Sequence, residues 1–142
     1  MAAVHTIHVD IVSAEGEIFA GEAAMVFAPA SQGEVGIAPR HAPLLTLLKP
    51  GEVRVQTPDR QEQVFYVSGG VLEVQPSKVS VLADTALRAR DIDEAAALAA
   101  KQRAQEALRD RGTPHDQAHA LNELIQAEAQ LKALERLRKL RG

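Results

Sequence analysis

The chain changes chemical character once, near Thr85, and that break constrains its fold more than any other feature. Upstream, short segments rich in Val, Ile and Leu are punctuated by Gly and Pro at 6–12, 23–28, 35–37, 44–48, 52–57, 63–67, 71–74 and 78–82. Turn formers recur about every 8 to 12 residues, the spacing of an antiparallel sandwich or barrel rather than of strand–helix–strand units. Several segments alternate with period two, as in Ile7, Val9 and Ile11 or Val53 and Val55, so each strand should bury one face. Residues 1–84 therefore read as an all-β domain.

Downstream, residues 85–142 are rich in Ala, Glu, Lys, Arg, Gln and Leu, strong helix formers, and are broken only at Gly112-Thr113-Pro114. Asp91 is placed to cap a first helix, with Glu94 completing a capping-box-like pair and Gly112 suited to a left-handed residue past its end. Thr113 caps a second helix whose first position is Pro114. So short a connection makes the two helices antiparallel neighbours. On the second helix Leu121, Leu124, Ile125, Leu131, Leu134, Leu137 and Leu140 predict one buried face, while the first offers Ile92 and a series of alanines from Ala95 to Ala107. Alanine removes little area from water, so the hairpin should leave its docking site at modest cost.

Composition removes several function classes. The 142 residues are 46% hydrophobic and 25% charged but only 3% aromatic, without Trp, which argues against binding single-stranded nucleic acid by base stacking. A net charge of -3 gives no general attraction to phosphate backbones or anionic lipid. The absence of Cys excludes disulfides, thiolate metal sites and cysteine nucleophiles. Residues 1–10 lack a signal peptide's basic-then-apolar layout, and no run approaches the roughly 20 apolar residues of a membrane span, so membrane association is expected only through a partner.

Two stretches carry a resemblance: Gly33-Glu34-Val35-Gly36-Ile37-Ala38-Pro39-Arg40-His41-Ala42-Pro43-Leu44-Leu45-Thr46, and Tyr66-Val67-Ser68-Gly69-Gly70-Val71-Leu72-Glu73-Val74-Gln75-Pro76, running on through Val79 to Asp84. They resemble the signature segments, in order and separation, of the epsilon-subunit family of bacterial and chloroplast F-type ATP synthases, and the similarity spans the chain. It implies a β-sandwich of about ten short strands followed by a C-terminal α-helical hairpin. It further implies a non-catalytic rotor subunit, peripheral on the cytoplasmic face of the bacterial plasma membrane. The sandwich would join the gamma subunit to the c-ring, and a mobile hairpin would restrain ATP hydrolysis by the alpha and beta subunits. By the same resemblance Glu34 and His41 match a loop presented to the c-ring, whereas no gamma-contact residues are assigned. Gly33 and Gly36 read as a bent backbone, and Gly69 and Gly70 as a turn or close approach.

Arg136, Arg138, Lys139 and Arg141 form a cationic helix end opposed in sequence only by Glu135. Part of that charge complements the carbonyl end of its own helix. The resemblance implies that the remainder bears on an acidic stretch of the beta subunit. Some family members bind regulatory ATP through Ile or Leu, Asp, two variable residues, Arg and Ala. Here the segment reads Ile92-Asp93-Glu94-Ala95-Ala96-Ala97, and Ala96 replaces the Arg, so no cofactor is expected. Two rival readings are a generic sandwich adaptor with a partner-binding hairpin, and a zinc hydrolase built on His115 and His119. The second lacks a third ligand and carries Asp116 where a zinc protease has its Glu base. His5 and His8, three apart on a strand, point to opposite faces, and Ser68 lacks the Gly-x-Ser-x-Gly setting of a nucleophile.

Overall fold

In the computed structural model, residues 5–110 and 112–142 are described, and the first four residues of the 1–10 segment lie outside them. Ten strands follow one another: β1 Ile7–Ser13, β2 Gly16–Ala23, β3 Met25–Ala30, β4 Gly33–Ile37, β5 Leu44–Leu48, β6 Gly51–Gln56, β7 Glu62–Val67, β8 Gly70–Gln75, β9 Lys78–Ala83 and β10 Ala86–Arg88. Their order is β10-β7-β6-β3-β5-β8-β9-β1-β2, with β4 paired to β3. β3 and β5 share one registered pair, Ala30 with Leu48, and there the ribbon folds into two layers, β10-β7-β6-β3-β4 and β5-β8-β9-β1-β2.

Period-two alternation explains the core. Ile7, Val9 and Ile11 of β1, Val53 and Val55 of β6, and Val79 and Val81 of β9 are fully buried, while His8, Asp10, Arg54 and Ser80 point outward. Each such side chain removed from water is worth about 1.5 to 3 kcal/mol. At Gly70 (φ +141°) an added Cβ would lie 2.0 Å from the Leu82 carbonyl oxygen, so the β7–β8 turn admits only glycine. Gly33 also has positive φ, at the β3–β4 turn, but Gly36 lies in regular β4 and reports no bend.

Two strands escaped the sequence pattern. β2 pairs with β1 but alternates poorly, and β10 pairs with β7 beyond the break at Thr85, so sheet pairing runs on to Arg88.

A 3-10 turn, Ala89–Asp91, leads to α1 (Glu94–Arg109) and α2 (Pro114–Leu140). The expected cap is corrected: Asp93 rather than Asp91 caps α1, accepting from the Ala96 amide at 3.1 Å. The reason is Ile92, which stays extended to pack against the sandwich and delays the helix by two residues. Gly112 is not left-handed, because α1 ends at Asp110 in extended geometry. Thr113 caps α2 as expected, in a capping box with Asp116, and Pro114 fills the first position.

The leucine face expected on α2 is also corrected. Leu131, Leu134, Leu137 and Leu140 are three apart, and each step of three leaves the next side chain about 60° short of a full turn. The leucines therefore spiral around the helix instead of lining one side. Leu134 is buried, Leu131 and Leu137 half-buried, and Leu121, Ile125 and Leu140 exposed. The buried residues are mostly alanines: Ala120, Ala127 and Ala133.

Candidate functional site

The site lies where the hairpin rests on the sandwich. Outward residues of β7 and β10, Val64, Tyr66 and Leu87, join Ala89 and Ile92 to make a small apolar bed. Onto it α2 sets Ala129, Ala133, Leu134 and Leu137. Tyr66 is almost fully buried, burial raises its pKa, and its hydroxyl meets Gln130. α1 packs against α2, which alone of the two helices makes substantial contact with the sandwich strands. The helices meet at small residues, Ala97 and Ala104 facing Ala120 and Ala127.

Beside this bed, the cationic end expected from sequence is occupied within the chain. Arg136 Nε donates to Glu52 Oε1 at 2.8 Å. Glu52 is 9% exposed and is the buried charged residue among those described. The hydrogen bond to Glu52 raises the Arg136 pKa above its ordinary value, burial opposes that, and the charges of Glu52, Glu62 and Glu34 add to it. Arg138 grips both oxygens of Glu94 at the start of α1, with Nη1 3.1 Å from Oε1. That hydrogen bond lowers the Glu94 pKa. Lys139 lies 3.4 Å from Glu135 one turn back, and Arg141 is exposed. Sequence reasoning missed Glu52, Glu62 and Arg54, and gave Glu94 a capping role without its partner Arg138. Alternation with Val53 and Val55 marks Glu52 and Arg54 as outward-facing, but no pattern ties Glu52 to a helix residue 84 positions away.

Arg54 is the second centre of charge. Its guanidinium lies 4.2 Å above the Phe27 ring, donates to Glu34 at 2.9 Å and reaches Glu62 at 3.5 Å. Glu34, half-exposed at the beginning of β4, is thus held from β6. His41 lies four residues past the other end of β4, its Nδ1 2.7 Å from the Ala42 carbonyl oxygen, so the strand stands between it and Glu34 in the chain.

On the outer face of the other layer, register aligns Leu47, Val71, Leu82 and Val12 in one row, with Leu45 in the next. Leu45 is 72% and Leu47 64% exposed, a contiguous apolar strip of the kind that marks a contact surface.

The segment resembling an ATP pattern serves the fold. Ile92 packs on the sandwich and Asp93 caps α1. Ala96 lines a cleft of about 460 Å³ between the helices, where Arg103 faces Asp91, Asp93 and Glu123, an acidic setting for a triphosphate. His119 is paired with Glu123 at 3.1 Å and His115 is exposed, and no cluster of three metal-ligating side chains occurs among the described residues. No helix there is long and apolar enough to cross a membrane.

Comparison with known proteins places this geometry. Residues 6–89 match the family model for the β-sandwich domain of the ATP synthase delta/epsilon chain, and residues 90–135 match that for its long α-helix domain. The chain is 69% identical over 137 residues to the ATP synthase epsilon chain of Nitrosococcus oceani, covering 96% of this chain and 98% of that one. It is 63% identical over 134 residues to that of Alkalilimnicola ehrlichii, covering 94% and 96%. Its fold matches a chain in the Euglena gracilis mitochondrial ATP synthase (OSCP/F1/c-ring) with TM-score 0.72 at 19% identity, covering 100% of this chain and 85% of that one. A chain in the central stalk/c-ring of the Tetrahymena thermophila enzyme matches with TM-score 0.64 at 14% identity, covering 94% and 99%. Continuous similarity through both domains excludes the hydrolase and the generic adaptor, and the chain belongs to the ATP synthase delta/epsilon chain family, non-catalytic subunits of that complex.

Proposed function

We propose that this chain ties the gamma subunit to the c-ring in the rotor of a bacterial ATP synthase, at the cytoplasmic face of the membrane, and that its hairpin restrains ATP hydrolysis by leaving the sandwich. The observation that carries the reading is the hairpin's economy of burial. It rests on a small bed while Leu98, Leu121, Ile125 and Leu140 remain exposed, apolar surface suited to a second location. The strip of Leu45, Leu47, Val71 and Leu82 supports a fixed partner on the opposite layer, and gamma is assigned there. Glu34, beside the β3–β4 turn, is assigned to the polar surface of the c-ring. His41, beyond the far end of β4, is assigned to the same c-ring surface, which the two ends of the segment would meet at separate points. No cofactor is required, and regulatory ATP is disfavoured by Ala96 and its acidic surroundings.

Arg136 holds α2 to the sandwich and Arg138 holds it to α1, so their removal both loosens the hairpin and weakens its grip on an acidic catalytic subunit. Lys139 and Arg141 separate the two effects, because neither touches the sandwich or α1 through an ion pair. In reconstituted complexes, Lys139→Ala with Arg141→Ala should raise ATP hydrolysis without impairing assembly, and the gain should shrink as salt screens the attraction. Equal hydrolysis at low salt would remove the electrostatic brake.

A further inference from the structure

Two buried polar atoms lack a hydrogen-bond partner among the described residues: Glu52 Oε2 and Arg54 Nε. They belong to outward positions of the same strand, two residues apart, where Cα atoms are about 6.5 to 7 Å from each other. Around them, three carboxylates, Glu34, Glu52 and Glu62, share two guanidiniums, Arg54 and Arg136. The set is therefore under-satisfied in the docked state. Arg54 is committed to Glu34 and Glu62, so Glu52 must take its cation from the hairpin. Glu34 and Glu52 also line one cavity of about 310 Å³ between the sandwich and α2, so both carboxylates face the seat of the hairpin.

We propose that Arg54 is a positioning residue that couples the rim carboxylate Glu34 to hairpin docking, by exchanging its hold on Glu34 for one on Glu52. This rests on the mobile hairpin proposed above. While Glu34 is unengaged, it retains Arg54 and leaves Glu52 to Arg136. When a cationic or hydrogen-bond-donating group of a partner takes Glu34, the released arm of Arg54 turns to the open Oε2 of Glu52 and competes with Arg136. The hairpin then loses its ion pair without leaving the buried Glu52 uncompensated, the outcome that makes removing one partner of a buried carboxylate costly. Lys49 and Lys132 line the same cavity, but among the described residues neither forms an ion pair with Glu34 or Glu52, which are held by the guanidiniums. Contact at the rim thereby regulates the docking of α2 beside it.

The test uses the full chain, whose lack of cysteine allows a spin-label pair at introduced Gln32→Cys and Asn122→Cys, with the docked fraction read from the distance distribution. Glu34→Gln imitates a Glu34 whose charge has been neutralised, and it should raise the ratio of undocked to docked hairpin about three- to tenfold. With Arg54→Met already present, the same substitution should leave that ratio unchanged within error. An equal factor in both backgrounds would mean that Glu34 acts on Arg136 directly through space, and an absent effect in the native background would mean no coupling; either overturns the relay. If Arg54→Met does not fold, Arg54→Lys replaces it, since one ammonium cannot span Glu34 and Glu62 as the planar fork does. A hairpin that stays docked even in Arg136→Met would overturn the mobile brake together with the relay, whereas a mobile hairpin with an Arg54-independent Glu34 effect would sink the relay alone.

Discussion

The sandwich and the hairpin are held by different means, and the contrast separates a large apolar core from a lightly fastened appendage. In the sandwich, Val, Ile, Leu and Phe side chains from both layers meet at essentially zero exposure, each worth about 1.5 to 3 kcal/mol. In the hairpin, alanines fill the helix–helix contact, and a short apolar bed with one half-buried ion pair joins it to the sheet. A methylene is worth about 0.8 kcal/mol, so alanine contacts close helices without fastening them. In the function proposed above, a coupling element would transmit torque without deforming and a brake would come away, and the choice of side-chain size suits one chain to both needs.

The contrast is tested most severely by matched core deletions. Phe65→Ala should lower global stability by about 3 to 5 kcal/mol in urea unfolding, because a fully buried ring is lost between layers. Leu134→Ala should instead release the hairpin and leave the midpoint of the sheet transition in place. A common midpoint shift for both would show one cooperative unit.

Truncation sharpens where the boundary lies. A chain ending at Arg90 retains β10 and should unfold as a cooperative β protein by circular dichroism. One ending at Asp84 loses β10 and buried Ala86 and uncovers a sheet edge along β7, so it should be less stable by about 1 to 3 kcal/mol. Equal stabilities would make β10 an appendage.

Acidity should act on the two regions in different windows. His8 of the sandwich is held by Glu22 and Asp10, and hydrogen bonds to them raise its pKa above 6.5. Its contribution is full below pH 6.5 and is lost as pH rises through the raised value. Glu94 of the hairpin has its pKa lowered below 4.5 by the Arg138 hydrogen bond, so its contribution is present above 4.5 and lost as pH falls through the lowered value. The α1–α2 contact, read from amide exchange of the two helices, should therefore stay level from pH 6.5 to about 8 and loosen below 4.5. A change near neutrality would tie the hairpin to the His8 cluster instead.

The smallest effect concerns nucleotide. Calorimetric titration of the purified chain should detect no micromolar ATP binding, and Ala96→Arg should add at most weak affinity because Asp91, Asp93 and Glu123 remain around it. Micromolar binding by the unmodified chain would contradict this assignment.

What was legible in the sequence follows the same division. Alternation located most strands within a residue or two, since each buries one face, but β2 has poor alternation and three-residue β10 is too short to show a period. Thr113 and Pro114 announced the start of α2, while Asp91 misled because Ile92 has a tertiary partner that overrides the local cap signal. The leucines of α2 suggested a stripe, but their threefold spacing disperses them. The site was least legible: the charges of Arg136 and Arg138 were visible, yet their partners Glu52 and Glu94 come from elements brought near only by folding.

Native-state hydrogen exchange measures the central claim most directly. Amides of α1 and α2 should exchange through a sub-global opening that is less costly and less dependent on denaturant than the opening that exposes β6, β7 and β9. Arg136→Met should accelerate the helices while leaving those strands unchanged. If helix and sheet amides instead converge on one opening free energy and respond equally to Arg136→Met, the hairpin is part of the core and the account of a detachable brake on a rigid coupler is wrong.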